Sequence, residues 1–241
     1  MNRYFFISDI HLGLQSKEIE QIKEDKLISF LEFAGSNASE LFILGDLFDY
    51  WFEYRRVYQK GYFRTLTALY NIVKSGVNVH YFIGNHDFMH RDFFEKEIGL
   101  TLYYSEKEFI LEGKRFFLGH GDGLVNNDLG YKVIKKILRN RFIQNCYSLI
   151  HPDLGIKIAS LSSKTSRDYT SKKDYGENDG LCETAERLII ENGYDFVIFG
   201  HRHLRKIHNY NKGIYINLGT WLEQSCYGKY ENEKFDIIDW I

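Results

Sequence analysis

Five times along this 241-residue chain, a short run of β-branched and aromatic residues stops at a small residue and a metal-ligand type of side chain follows. RYFFIS (3–8) leads to Asp9 and His11, LFILG (41–45) to Asp46 and Asp49, and VHYFIG (79–84) to Asn85, His86 and Asp87. RFFLG (115–119) leads to His120 and Asp122, and DFVIFG (195–200) to His201 and His203. The length and composition of these runs, and of GIYINLG (213–219), predict buried strands. Carboxylate, imidazole and amide groups are costly to bury unpaired. One such cluster is compatible with a polar turn. Five in succession, each at a strand end, fit an open sheet that gathers its ligands beyond the carboxyl ends of its strands.

Between the early runs, Leu27, Ile28, Leu31 and Ala34 keep helical spacing, as do Phe63, Leu66, Leu69 and Val73. Alternating strand and helix predicts an α/β layered core. EFILEGKRFFLGHG adds a hairpin turning at Glu112–Lys114, so the sheets are expected to be mixed. Residues 125–180 break the rhythm. YKVIKKILRNRFIQNCYSLI predicts one broad amphipathic helix with Val133, Ile134, Ile137, Leu138, Phe142 and Cys146 on one side. Pro152 and the loop-like SLSSKTSRDYTSKKDYGEN follow. The chain therefore reads as one domain, 1–241, with a cap inserted at about 125–180. Between Lys132 and Lys173, ten lysines and arginines face only Asp153 and Asp168, a local charge of +8. The whole chain carries −2, so the core must carry −10.

A near-neutral total gives no reason to expect nucleic acid as partner. Cys146, Cys182 and Cys226 share no CxxC spacing and suggest neither a zinc ribbon nor a disulfide framework. No run reaches the roughly 18 apolar residues of a membrane span, and MNRYFFISDIHLG turns polar too soon for a signal peptide. The expected location is cytoplasmic, or peripheral to a membrane.

Oxygen and imidazole donors without thiolate suit manganese, iron or zinc in a reactive site rather than a structural zinc. The supply exceeds one ion. It suits two, about 3.5–4 Å apart with a shared carboxylate, an arrangement that polarises a phosphoryl oxygen and supplies hydroxide at neutral pH.

The order DxH, GDxxD, GNHD, GHxD, GHxH resembles the calcineurin-like metallophosphoesterase superfamily, with all five blocks present. The resemblance implies an αββα sandwich of two mixed sheets flanked by helices. It implies Asp9, His11 and His203 as ligands of one metal and Asn85, His120 and His201 as ligands of the other, bridged by Asp46. It implies His86 as the catalytic histidine, binding phosphate or protonating the leaving group, with Asp87 as its orienting partner. Asp49 is then expected to support the ligands rather than bind metal.

LGDLFDYWF, GHGDGLVNNDLGYK, the Ser/Lys-rich stretch at 163–173, FGHRH and LGTW are similar to UDP-2,3-diacylglucosamine pyrophosphohydrolases. Those enzymes use Mn²⁺ and a helical cap placed between the fourth and fifth blocks. In lipid A synthesis they cut their substrate to UMP and 2,3-diacylglucosamine 1-phosphate (lipid X). The resemblance implies that UDP-linked diacylated sugar as substrate and work at the cytoplasmic face of the bacterial inner membrane. It implies Asn85, His86, Asp128, Ser166, Thr170 and Lys173 as substrate contacts. The usual GNRD and GHTH of those enzymes become GNHD and GHRH, with His86 and Arg202 at the changed places. Another phosphodiesterase, phosphomonoesterase or nuclease on the same core is the alternative enzyme. A metal-free binding module would lack ligands, and none is missing.

Overall fold

The computed structural model describes residues 2–54, 56–125, 129–159 and 180–241. Asp128, Ser166, Thr170 and Lys173 lie outside the described residues. Two mixed sheets stack face to face. The first has the order β11-β10-β1-β2-β3-β4, built from β1 (Tyr4–Ile7), β2 (Glu40–Leu44), β3 (Asn78–Phe82), β4 (Thr101–Tyr103), β10 (Cys226–Glu231) and β11 (Lys234–Asp239). Strands β1 to β4 run parallel, while β10 joins β1 antiparallel. The second has the order β5-β6-β7-β9-β8, from β5 (Lys107–Leu111), β6 (Lys114–Leu118), β7 (Phe196–Phe199), β8 (Lys206–Tyr210) and β9 (Gly213–Asn217). Its centre, β6-β7-β9, is parallel.

Strand periodicity explains the layers. In β1, Tyr4 and Phe6 point between the sheets, where they join Phe42, Leu44, Phe82, Phe116, Phe196, Ile198 and Ile216. Phe5 and Ile7 point the other way, onto Leu27, Phe30 and Leu31 of α1 (Lys17–Asn37) and Leu66 and Leu69 of α2 (Phe63–Lys74). Val197 and Phe199 of β7 pack on Leu181, Ala185 and Ile189 of α6 (Gly180–Asn192). A central strand covered on both faces reads as an unbroken apolar run, which is why RYFFIS and DFVIFG stand out in the sequence. The fold is αββα.

Two expectations about helices change. Phe63 opens α2 at 78% exposure, and the core face is Leu66, Leu69 and Ile72 with Thr65 and Ala68. The long amphipathic run is two helices, α3 (Leu129–Leu138) and α4 (Arg141–Tyr147). Asn140 breaks it: its side chain accepts from the backbone N–H groups of Phe142 and Ile143 at 2.9 and 3.4 Å, capping α4. A further helix, α5, covers 152–159. No described helix is long and apolar enough to cross a membrane.

Candidate metal centre

The five loops that follow β1, β2, β3, β6 and β7 converge beyond the strand ends. The first two stay paired past their strands, with the N–H of Asp9 donating to Gly45 O (3.2 Å) and that of His11 to Asp46 O (2.9 Å). Asp9, His11, Asp46, His201 and His203 all have positive φ, between 49° and 68°. Non-glycine residues seldom adopt this left-handed conformation, and it costs of order 1–3 kcal/mol each where the surroundings enforce it. Glycines make room for the ligands. A Cβ on Gly84 would meet Asp46 Oδ1 at 2.0 Å, and one on Gly45, at φ +90°, would meet the His120 ring at 2.5 Å.

One group comprises Asp9, His11 and His203. Asp9 Oδ1 lies 3.2 Å from His203 Nε2 and 3.7 Å from His11 Nε2, and the two histidine nitrogens are 3.1 Å apart. Asp9 Oδ2 is occupied: it accepts from Ser8 Oγ and, at 2.9 Å, from the His201 N–H. Asp9 Oδ1 is buried with no hydrogen-bond donor.

The second group lies around Asn85. Its Oδ1 is 3.0 Å from His120 Nε2 and 2.8 Å from His201 Nδ1. His120 Nδ1 faces Leu44 O at 2.8 Å and donates to it, which turns Nε2 toward the centre. Between the groups, Asp46 Oδ2 is 3.2 Å from His120 Nε2 and 3.7 Å from His11 Nε2, while its Oδ1 accepts the His86 N–H at 2.8 Å. Oδ2 therefore lies between the two groups.

The charges agree with this geometry. Burial works against ionisation, yet Asp9 and Asp46 both stay below the usual carboxylate range because imidazoles surround them. Burial also opposes the histidinium forms, but Asp49, Asp9 and Asp46 raise His11 to about 9, and Asp46 raises His120 to about 10. Burial and the neighbouring His120 press His201 down to about 3. Buried carboxylates that draw protons onto two histidines demand positive charge, and divalent cations in the same place meet that demand. Asp9 Oδ1, which accepts no hydrogen bond, and the converging histidine nitrogens fit two ions, and the seven expected ligands lie together.

His86 joins His11 and Asp46 in a third overlapping group. Its Nδ1 is 3.4 Å from Asp49 Oδ1 and 3.3 Å from Asp49 O. Asp49 Oδ1 also faces His11 Nδ1 at 3.5 Å. The carboxylate set against the His86 ring is thus Asp49, which corrects the assignment of Asp87 as orienting partner. Asp87 is fully buried and serves the backbone, accepting from the N–H groups of Gly84 (2.8 Å), Leu47 (2.8 Å) and Phe48 (3.4 Å) and from Tyr81 Oη. Adjacent residues leave the chain in different directions, so a neighbour in sequence was a poor guide to the ring's partner.

Supporting residues outside the five blocks also emerge. Buried Lys23 donates to His11 O at 2.8 Å. Thr220 Oγ1 and the Trp221 N–H donate to Asp9 O at 2.9 and 3.1 Å, which gives LGTW a structural task. Lys135 and Arg139 turn inward to Asp122, at 2.8 and 3.3 Å, so part of the segment's positive charge is paired within the protein. Val133, Ile134, Ile137 and Phe142 are exposed, and Phe142 is 72% so. With Lys136, Asn140 and Ile143, three of these (Val133, Ile137 and Phe142) line a groove of about 420 Å³.

Residues 3–205 match the calcineurin-like phosphoesterase family. A UDP-2,3-diacylglucosamine hydrolase of Porphyromonas gingivalis is 31% identical, the match covering 95% of this chain and 94% of the relative. One from Photorhabdus laumondii subsp. laumondii is 29% identical over 97% of each chain. One from Blochmanniella pennsylvanica is 28% identical over 97% of this chain and 94% of its own.

Proposed function

Because the chain belongs to the calcineurin-like phosphoesterase family, we propose that it hydrolyses the pyrophosphate of UDP-2,3-diacylglucosamine, giving UMP and 2,3-diacylglucosamine 1-phosphate in lipid A synthesis. The family uses a dinuclear metal centre, and the chain is a metal-dependent hydrolase of a phosphoric anhydride. The observation that carries the reading is the position of Asp46 Oδ2 between His11 of one ligand group and His120 of the other. When bound, the ions supply charge neutralisation at phosphorus and a nucleophile from water. We assign them as Mn²⁺, with Fe or Zn as alternatives suited to the same donors.

The protein's own groups divide the remaining work. Asn85, His120 and His201 hold one side of the centre, and Asp9, His11 and His203 the other. Asp49 on Nδ1 orients the His86 ring, so that Nε2 is the atom assigned to the scissile phosphate or the leaving oxygen. The groove of Val133, Ile137, Phe142 and Ile143 supports a role for the 125–180 segment as a cap that takes acyl chains. Asp128, Ser166, Thr170 and Lys173 are proposed contacts to sugar and phosphate.

The test is turnover with Mn²⁺ on UDP-2,3-diacylglucosamine, deacylated UDP-glucosamine and bis-p-nitrophenyl phosphate. The acylated substrate should be preferred by orders of magnitude, and hydrolysis in ¹⁸O water should label UMP. Label in the lipid phosphate would move the attack to the other phosphorus. Equal rates on acylated and deacylated substrates would leave a phosphoesterase of different specificity.

The proposed workplace is the cytoplasmic face of the inner membrane, with the exposed apolar residues of α3 and α4 against lipid. Each basic residue near an anionic surface adds about 1 kcal/mol, and Lys136 is the exposed lysine beside the groove. Binding to vesicles containing anionic lipid should weaken with salt and with Phe142→Ser. Vesicles left unbound at low salt would remove the membrane from the proposal.

A further inference from the structure

Tyr131, Lys135 and Arg139 follow one another at four-residue intervals through α3 and its last turn, so they share a helix face. All three reach the same buried carboxylate. Asp122 Oδ2 accepts from Tyr131 Oη at 2.9 Å, from Lys135 Nζ at 2.8 Å and from Arg139 Nη2 at 3.3 Å. Lys135 also holds the Asp122 carbonyl at 2.7 Å. Asp122 sits two residues past the ligand His120.

Arg139 extends the contact to a second loop. Its Nη2 donates to Gly84 O at 3.1 Å, and its Nη1 to Tyr104 O at 3.1 Å. The Gly84 carbonyl belongs to the peptide that enters Asn85. The Gly84 N–H is held separately by Asp87 Oδ1 at 2.8 Å. With the Gly84 carbonyl held before it and the His86 N–H held by Asp46 Oδ1 after it, Asn85 has little choice in where Oδ1 points, and it points at His120 and His201. The ligands of the other ion are steadied differently, through Lys23 on His11 and Thr220 on Asp9.

We propose that Arg139, seconded by Lys135, is a positioning residue that latches the first helix of the 125–180 segment onto the loops carrying Asn85 and His120. Seating that helix and shaping the second metal site are then one event. The inference rests on the two-ion reading but not on the identity of the substrate. The planar fork of arginine suits three acceptors in two directions, which a single lysine ammonium cannot serve together. The latch acts on one ion selectively, a property that a merely structural anchor lacks.

The experiment is a Mn²⁺ titration of the metal-depleted full-length protein, followed by calorimetry and by electron paramagnetic resonance, for wild type, Arg139→Met and Arg139→Lys. Arg139→Met should weaken one of the two binding steps by about 10–100-fold, the usual effect of losing a group that orients ligands, and leave the other unchanged. The signal of a spin-coupled pair should give way to that of isolated Mn²⁺ at equal loading. Turnover of bis-p-nitrophenyl phosphate, which has no acyl chains, should fall in kcat and recover as Mn²⁺ is raised. Arg139→Lys should lie between, and it supplies the comparison if Arg139→Met fails to fold. Two wild-type binding steps in the variants would overturn the latch, and so would equal weakening of both steps. Failure of the wild type to act on UDP-2,3-diacylglucosamine would count against the proposed substrate and leave this titration intact.

Discussion

Asp46→Asn is expected to remove nearly all activity and to disturb both metal sites at once. The buried Oδ2 of Asp46 stands between His120 and His11, at 3.2 and 3.7 Å, so each ion would lose the same anionic ligand. Losing a single oxyanion donor costs about 10²–10³ in turnover, and loss of the shared anion should reach at least the top of that range. Asparagine keeps an oxygen for the His86 N–H and nearly the shape that Gly84 accommodates, so folding should survive. Metal analysis of the variant at saturating Mn²⁺ checks this. Two tightly held ions in the variant, or at most one in the wild type without chelator, would defeat the bridging assignment.

His86→Ala should behave differently. General acid work is typically worth about 10²–10⁴ in rate, so turnover should fall by that factor while both ions remain. The geometry makes this a sharp test, because His86 also lies within ligand range of His11 and Asp46. A variant that sheds a metal would make His86 a ligand, and a variant with full turnover would leave it no part in the chemistry. The pairing of Nδ1 with Asp49 favours the acid role, since it fixes the ring without drawing it onto an ion.

The centre was legible because its residue types are conspicuous where they fall. Asp9, Asp46, Asn85, His120 and His201 each follow an apolar run, and runs buried on both faces are hard to mistake. The edge strand β5 showed in its hairpin with β6, but the edge strands β4 and β8 were not legible. Strand β4 is three residues long, and β8 has three of its five residues exposed and none buried, so neither shows an apolar pattern. The break at Asn140 was hidden because the apolar spacing runs through it, and only a local bond from its side chain to the backbone ends one helix and starts the next. The inward turn of Lys135 and Arg139 was not legible either, because a count of charges carries no direction. Their partner, Asp122, had been counted among the candidate ligands, and the bond between them depends on contacts far apart in sequence.

The left-handed backbone at Asp9, His11, Asp46, His201 and His203 has a consequence for how such a chain can drift over generations. At each of these positions glycine is the residue that the local geometry itself prefers. Exchanging a ligand for glycine would relieve strain at the moment it destroyed the chemistry, so decay of catalysis meets less resistance from folding than it would at an ordinary buried position. Regaining the ligand would run uphill in stability. The scaffold is therefore biased to outlive its own reactivity, and selection for turnover must continually hold these five residues against a gradient built into their backbone.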